Sequence, residues 1–95
     1  MQNVMGGGNI PYIKREQRPV LDEIVDNAMY DLAPDGRLNY MLFKLMLRRR
    51  KIEGESYQFY KNYRAELLEC AAEIKRRYQD KYESQKINQN GDVEE

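Results

Sequence analysis

SYQFYKNYRAELLECAAEIKRRYQDKYESQKI, residues Ser56 to Ile87, runs thirty-two residues without a glycine or a proline. No turn residue interrupts it, so the stretch reads as one long helix, reaching about 48 Å at 1.5 Å per residue. Ser56 is a natural N-cap, its hydroxyl placed to accept an orphan backbone N–H. Tyr60, Tyr63, Leu67, Ala71, Ile74 and Tyr78 recur at helical spacing on one face, and Tyr82 continues the line. Leu68 and Cys70 flank that stripe, and the small trio Cys70-Ala71-Ala72 allows close helix approach. The helix is expected to end near Ile87, before Asn88-Gln89-Asn90-Gly91.

Two shorter helices precede it. The first begins at Pro19, a favourable first-turn residue, with Asp22 and Glu23 near the positive end of the helix dipole. Val20, Leu21, Ile24, Val25, Ala28, Met29 and Leu32 form its apolar stripe, and Pro34 stops it before the Asp35-Gly36 turn. The second runs from about Arg37 to Ile52, with Asp35 as N-cap and Gly54 as the C-terminal stop. Its stripe of Leu38, Met41, Leu42, Leu45 and Met46 is widened by Tyr40, Phe43 and Leu47, which makes it the helix expected to be most buried. Short loops imply antiparallel neighbours. The expected fold is all-α: a three-helix up-down-up bundle with a long C-terminal helix. The expected domains are a flexible tail over 1–9, a helical domain over 10–88 and a C-terminal tail over 89–95. Within the helical domain Ile10, Tyr12 and Ile13 form a short extended segment able to tuck against the bundle.

The 95 residues suffice for one modest core, and chains of this size are often helped by oligomerisation. Charged residues make up 34% of the chain and cancel to zero, which suits a soluble helical protein rather than a disordered one. No apolar run approaches a membrane span, and Met1 to Gly8 reads as neither a secretory signal nor a transit peptide. A lone cysteine, Cys70, permits no internal disulfide and suggests packing rather than nucleophilic chemistry. A cytoplasmic setting follows as the expectation. The absence of histidine removes the commonest general base and zinc ligand. Eight tyrosines, two phenylalanines and no tryptophan point to half-buried positions at an interface or a pocket rim.

Charge is sorted by helix. Residues 20–35 carry five acids and no base; residues 36–52 carry six bases and no acid. Pairing across the two antiparallel helices is the simplest expectation, setting register more than stability. Arg48-Arg49-Arg50-Lys51 spreads around a helix end, so these bases cannot all reach the first helix. Such a patch could hold phosphate, extended by Lys75-Arg76-Arg77. Tyr12, Tyr40 or Tyr82 would then supply a stacking face, and Asn39 sits where free helix N–H groups favour anions. Glu66, Glu69 and Glu73 share a face, as magnesium-binding carboxylates do in helical nucleotide pyrophosphohydrolases, although such rows are usually solvated and balanced by nearby bases. The helix pair flanking Gly54 also raises a DNA-reading geometry, against which Tyr57, Gln58, Phe59 and Tyr60 look like core.

Five segments in order carry a family resemblance: Pro11-Tyr12-Ile13-Lys14-Arg15-Glu16, Gly36-Arg37-Leu38-Asn39-Tyr40, Leu68-Glu69-Cys70, Tyr82-Glu83-Ser84-Gln85-Lys86-Ile87 and Asn90-Gly91-Asp92-Val93. Together they resemble a family of small uncharacterised proteins of tailed phages and of bacteria carrying phage-like genes. The match spans most of residues 11 to 93. Relatives often carry proline where this chain has Lys81, which leaves open whether the long helix continues past Asp80 or bends there. The resemblance implies a provenance and a fold; it implies no reaction. The expected function is a non-catalytic phage-type accessory protein, working as a homo-oligomer through Tyr78, Tyr82 and Ile87 and needing no cofactor. It would bind a host protein or a small phosphate-bearing ligand in the host cytoplasm, capture of a nucleotide signal in host defence being one form. The alternatives are a magnesium-dependent nucleotide hydrolase using Glu66, Glu69 and Glu73, and a nucleic-acid-associated protein.

Overall fold

The computed structural model describes residues 13–93, and every regular element within them is helical. The expected tail over 1–9 and the tuck of Ile10 and Tyr12 lie outside the described residues. The fold is an all-α three-helix bundle with a long, bent C-terminal helix. A 3-10 turn, Arg15–Gln17, leads into α1, Arg18–Ala28, with Pro19 in its first turn. The second helix, α2, is Arg37–Glu53. The long helix comprises α3, Tyr57–Ile74, a π turn, Lys75–Gln79, and α4, Asp80–Asn90. The described chain falls into two compact units, residues 13–63 and residues 64–93.

The local signals act as their chemistry requires. Ser56 Oγ accepts the Phe59 N–H at 2.9 Å, a cap whose removal typically costs about 1 kcal/mol. The N-cap of α2 is Gly36 rather than the expected Asp35, which lies one residue further out, accepts the Arg37 N–H at 3.3 Å and also binds the Arg37 guanidinium. Gly36 enters α2 at φ 106° and Gly54 leaves it at φ 91°, left-handed values that favour glycine. The first helix stops at Ala28, short of Pro34. Its last bonds are Met29 N–H to Val25 O and an i→i+3 bond from Asp31 N–H to Ala28 O. An acid at a helix C-terminus opposes the dipole, and proline pushes Ala33 out of the helical region, so the chain turns early. The long helix runs beyond Ile87 to Asn90, where Gly91 ends it.

At Lys75–Gln79 the long helix widens. The Asp80 N–H bonds to the Lys75 carbonyl, an i→i+5 bond. This spacing aligns side chains five apart, and Lys75 Nζ meets Asp80 Oδ1 at 2.7 Å. A π turn is a recognised cause of helix bending.

In residues 13–63 the packed centre is Phe59, the one buried apolar residue among the described residues. Its ring meets Tyr60 edge-on, centroids 5.6 Å apart, and Tyr63 at 6.0 Å. Leu42, Met46 and Leu47 of α2 are half-buried, as are Tyr60 and Tyr63. The greatest burial therefore lies at the start of α3 rather than on α2, as the helix-by-helix reading had it. Leu38, Met41 and Leu45 are exposed, because α2 carries apolar residues around too much of its circumference for one neighbour to cover. The α1 stripe is open too, with Val20 68% and Ile24 59% exposed. In residues 64–93 the expected interface residues Tyr78, Tyr82 and Ile87 are 70%, 60% and 44% exposed. Cys70 is exposed rather than packed.

Candidate functional site

The basic run on the last turns of α2 is partly spent on structure. Arg49 donates twice to Glu53 Oε2, an i,i+4 pair. Arg50 Nη1 donates to the Tyr60 hydroxyl at 2.9 Å, and that hydroxyl donates to Glu55. This chain of groups ties the end of α2 to the loop and to the start of α3. The Tyr60 hydrogen bond, aided by the Glu55 charge, raises the Arg50 pKa above its already high value. Arg48 and Lys51 have no ion-pair partner among the described residues. Two of the four bases, then, are open to an anion, and two are not.

The expected pairing of α1 acids with α2 bases is not what the structure builds. Its ion pairs are local: Asp35 with Arg37, Glu53 with Arg49, Glu55 with Arg50, Asp80 with Lys75, and Glu73 with Arg76 and Arg77. Asp22, Glu23 and Asp26 pair with no base among the described residues. Exposed ion pairs contribute little, so they cannot pull two helices together without apolar packing behind them.

A cleft of about 640 Å³ opens where α1 turns into α2, lined by Asn27, Ala28, Asp31, Leu32, Asp35, Gly36, Arg37, Tyr40 and Met41. None of Arg48, Arg49, Arg50 or Lys51 reaches it. Its one base, Arg37, already holds Asp35, whose carboxyl pKa is lowered by hydrogen bonds from the Arg37 guanidinium and backbone N–H. Asp31 adds a second acid to the wall. The cleft is thus unsuited to an anion, although it brings Tyr40 to a rim as the sequence suggested. Asn39 lies beside Tyr40 on α2 but does not line the cleft, and Tyr12 lies outside the described residues. Lys44 Nζ sits 5.5 Å from the Tyr40 ring centre, and Lys86 Nζ the same distance from Tyr82. One face of the Tyr40 ring and one of the Tyr82 ring therefore already have a cation over them.

Glu66, Glu69 and Glu73 do not form a metal cage. Among the described residues no group of three or more acidic or thiol side chains stands in a geometry able to hold a metal ion. Glu73 Oε1 is bound by Arg76, with Arg77 Nε at 3.6 Å, while Oε2 is buried without a hydrogen-bond partner. Sequence reasoning missed two further features. The Tyr63 hydroxyl donates to the Leu42 carbonyl at 3.2 Å, and burial pushes the Tyr63 phenol pKa up. The second is the Lys75–Asp80 bridge, whose signal was available as opposite charges five residues apart. No described helix is long and apolar enough to cross a membrane.

No curated protein and no solved structure matches the chain. A family model does match, over residues 10–93, a span that takes in both compact units and all of the helices. On that match the chain belongs to the family described as Domain of unknown function (DUF6899).

Proposed function

We propose that this protein is a non-catalytic, phage-type accessory protein that works as a homo-oligomer and binds a protein partner in the cytoplasm of a bacterial host. One observation carries the reading: a single apolar side chain, Phe59, is buried among the described residues, while Tyr78, Tyr82 and Ile87 stand open. Ordering a residue costs about 1–2 kcal/mol of backbone entropy. Burying a large apolar side chain returns roughly 1.5–3 kcal/mol. A lone protomer with so little buried is poorly supported, and a second molecule on the open faces supplies what is missing. The α4 tyrosines suit that role, since each offers apolar area and keeps a hydroxyl at the rim. Support for the phosphate-bearing ligand is narrower: it rests on Arg48 and Lys51, exposed and without ion-pair partners among the described residues.

Sedimentation equilibrium tests the assembly. The expected mass is a multiple of 11.4 kDa, and Tyr82→Glu lowers it by putting a charge where apolar area must be covered. A wild-type mass of one protomer at tens of micromolar would end the proposal.

A further inference from the structure

The acidic α1 and the basic α2 carry complementary surfaces that do not meet within one chain. Asp22 and Asp26, four apart, stand on one side of α1, beside Val25 and Met29 at the edge of its exposed apolar stripe. Arg48 and Lys51, three apart, stand on one side of α2, beside the exposed Leu45 and Ile52. Residues three or four apart share a helix face. Each stripe is thus an open apolar strip edged by charge, negative on one helix and positive on the other. Neither charge pair is used: none of the four residues has an ion-pair partner among the described residues.

Length explains why one chain cannot join them fully. The first helix has 11 residues and α2 has 17. Folded back from the turn that connects them, α1 would stop about 9 Å short of the far end of α2. Arg48 and Lys51 lie at that far end. A second copy is not held by the connecting turn and can slide its α1 along α2 to reach them.

We propose that two copies exchange these surfaces, α1 of each lying on the C-terminal half of the other's α2, with Asp22 and Asp26 set against Arg48 and Lys51. The exchange is isologous, so one contact is made twice and the assembly closes. The charges select the partner helix and steer the approach. This interface is separate from the α4 surface and goes beyond the assembly proposed there.

Paired charge reversals test it in the full-length protein. Asp22→Lys with Asp26→Lys makes one variant, and Arg48→Glu with Lys51→Glu makes the other. Each variant alone has like charges facing, so its sedimentation mass in low salt is expected to be half that of wild type. An equimolar mixture restores the wild-type mass, because opposite charges face again in the mixed pair. Circular dichroism at wild-type helicity confirms that both variants fold. Should both folded variants keep the wild-type mass alone, the exchange is wrong while the α4 assembly stands. Should Tyr82→Glu leave the mass unchanged while the reversals halve it, the α4 contact is wrong and the exchange stands. Variants that halve but do not recover on mixing also overturn it, since the effect is then not complementarity.

Discussion

Tyr63 shows how one residue combines packing with a titratable group. Its ring rests near Phe59, and its hydroxyl donates to the Leu42 carbonyl across the α2–α3 contact. The bond needs the neutral phenol, and burial raises the phenol pKa above its ordinary value near 10. For a group whose folded pKa is raised, the linked stability is present below the unfolded value and is lost as pH climbs through the folded one. Tyr63→Phe is expected to lose about 1 kcal/mol at neutral pH, the net worth of an intramolecular hydrogen bond. It should also flatten the fall in melting temperature as pH climbs above the ordinary tyrosine range, relative to wild type. An identical alkaline slope in the two proteins would show that other tyrosines carry the dependence. The sequence placed Tyr63 on the packed face of the long helix, since i, i+3 and i+4 spacing puts it beside Tyr60. It did not reveal the Leu42 carbonyl, because a side-chain bond to a backbone atom 21 residues away leaves no local pattern.

At the scale of the element, the π turn is the feature that departs from regularity. An i→i+5 turn holds one more residue than an α turn, and it occurs here in a segment where Lys75 and Asp80 can pair only at that spacing. The Asp80 hydrogen bond and charge raise the Lys75 pKa. Deleting Gln79 alone removes the extra residue and lets the helix run on as α with α4 close to its present face, whereas deleting Lys81 as well turns the rest of α4 by about 100° relative to α3. Helicity is expected to be kept in both, while the sedimentation mass falls only in the double deletion, as Tyr82 and Ile87 swing off the proposed interface. Unchanged mass in the double deletion would show that α4 lies outside any assembly. Helix ends were the most legible part of this protein. Ser56, Gly54 and Asp35 each satisfy backbone groups within a few residues, so their role is written locally. The early stop of α1 was less so, because Asp31 and Pro34 both weaken the helix and the spacing of apolar residues runs on past the point where it ends.

For the whole molecule the open apolar faces dominate. If a second copy covers them, folding and association are linked, and mass action makes the melting temperature rise with protein concentration. Scanning calorimetry from about 5 to 500 µM is expected to show a rise of several degrees, with each tenfold step adding about 1.4 kcal/mol to a bimolecular association. A melting temperature independent of concentration would instead mark a self-sufficient protomer. The basic run belongs at this scale as well. Four adjacent bases looked like one patch in the sequence, yet Arg49 and Arg50 are held by Glu53, Glu55 and Tyr60, while Arg48 and Lys51 have no ion-pair partner among the described residues. Only the folded arrangement of Glu53, Glu55 and Tyr60 separates them.

The sequence alone determined the helical class, the three-helix order, the Ser56 cap, the Gly54 stop and a long C-terminal helix. Each of these follows from backbone preferences and side-chain spacing that act within a turn or two. Which apolar stripe is covered, which bases are spent, and where the long helix widens were decided by the tertiary structure. Periodicity tells that a face is apolar; it carries no information on which surface lies against it, and here, for most of α1, α2 and α4, no such surface is supplied by the described residues.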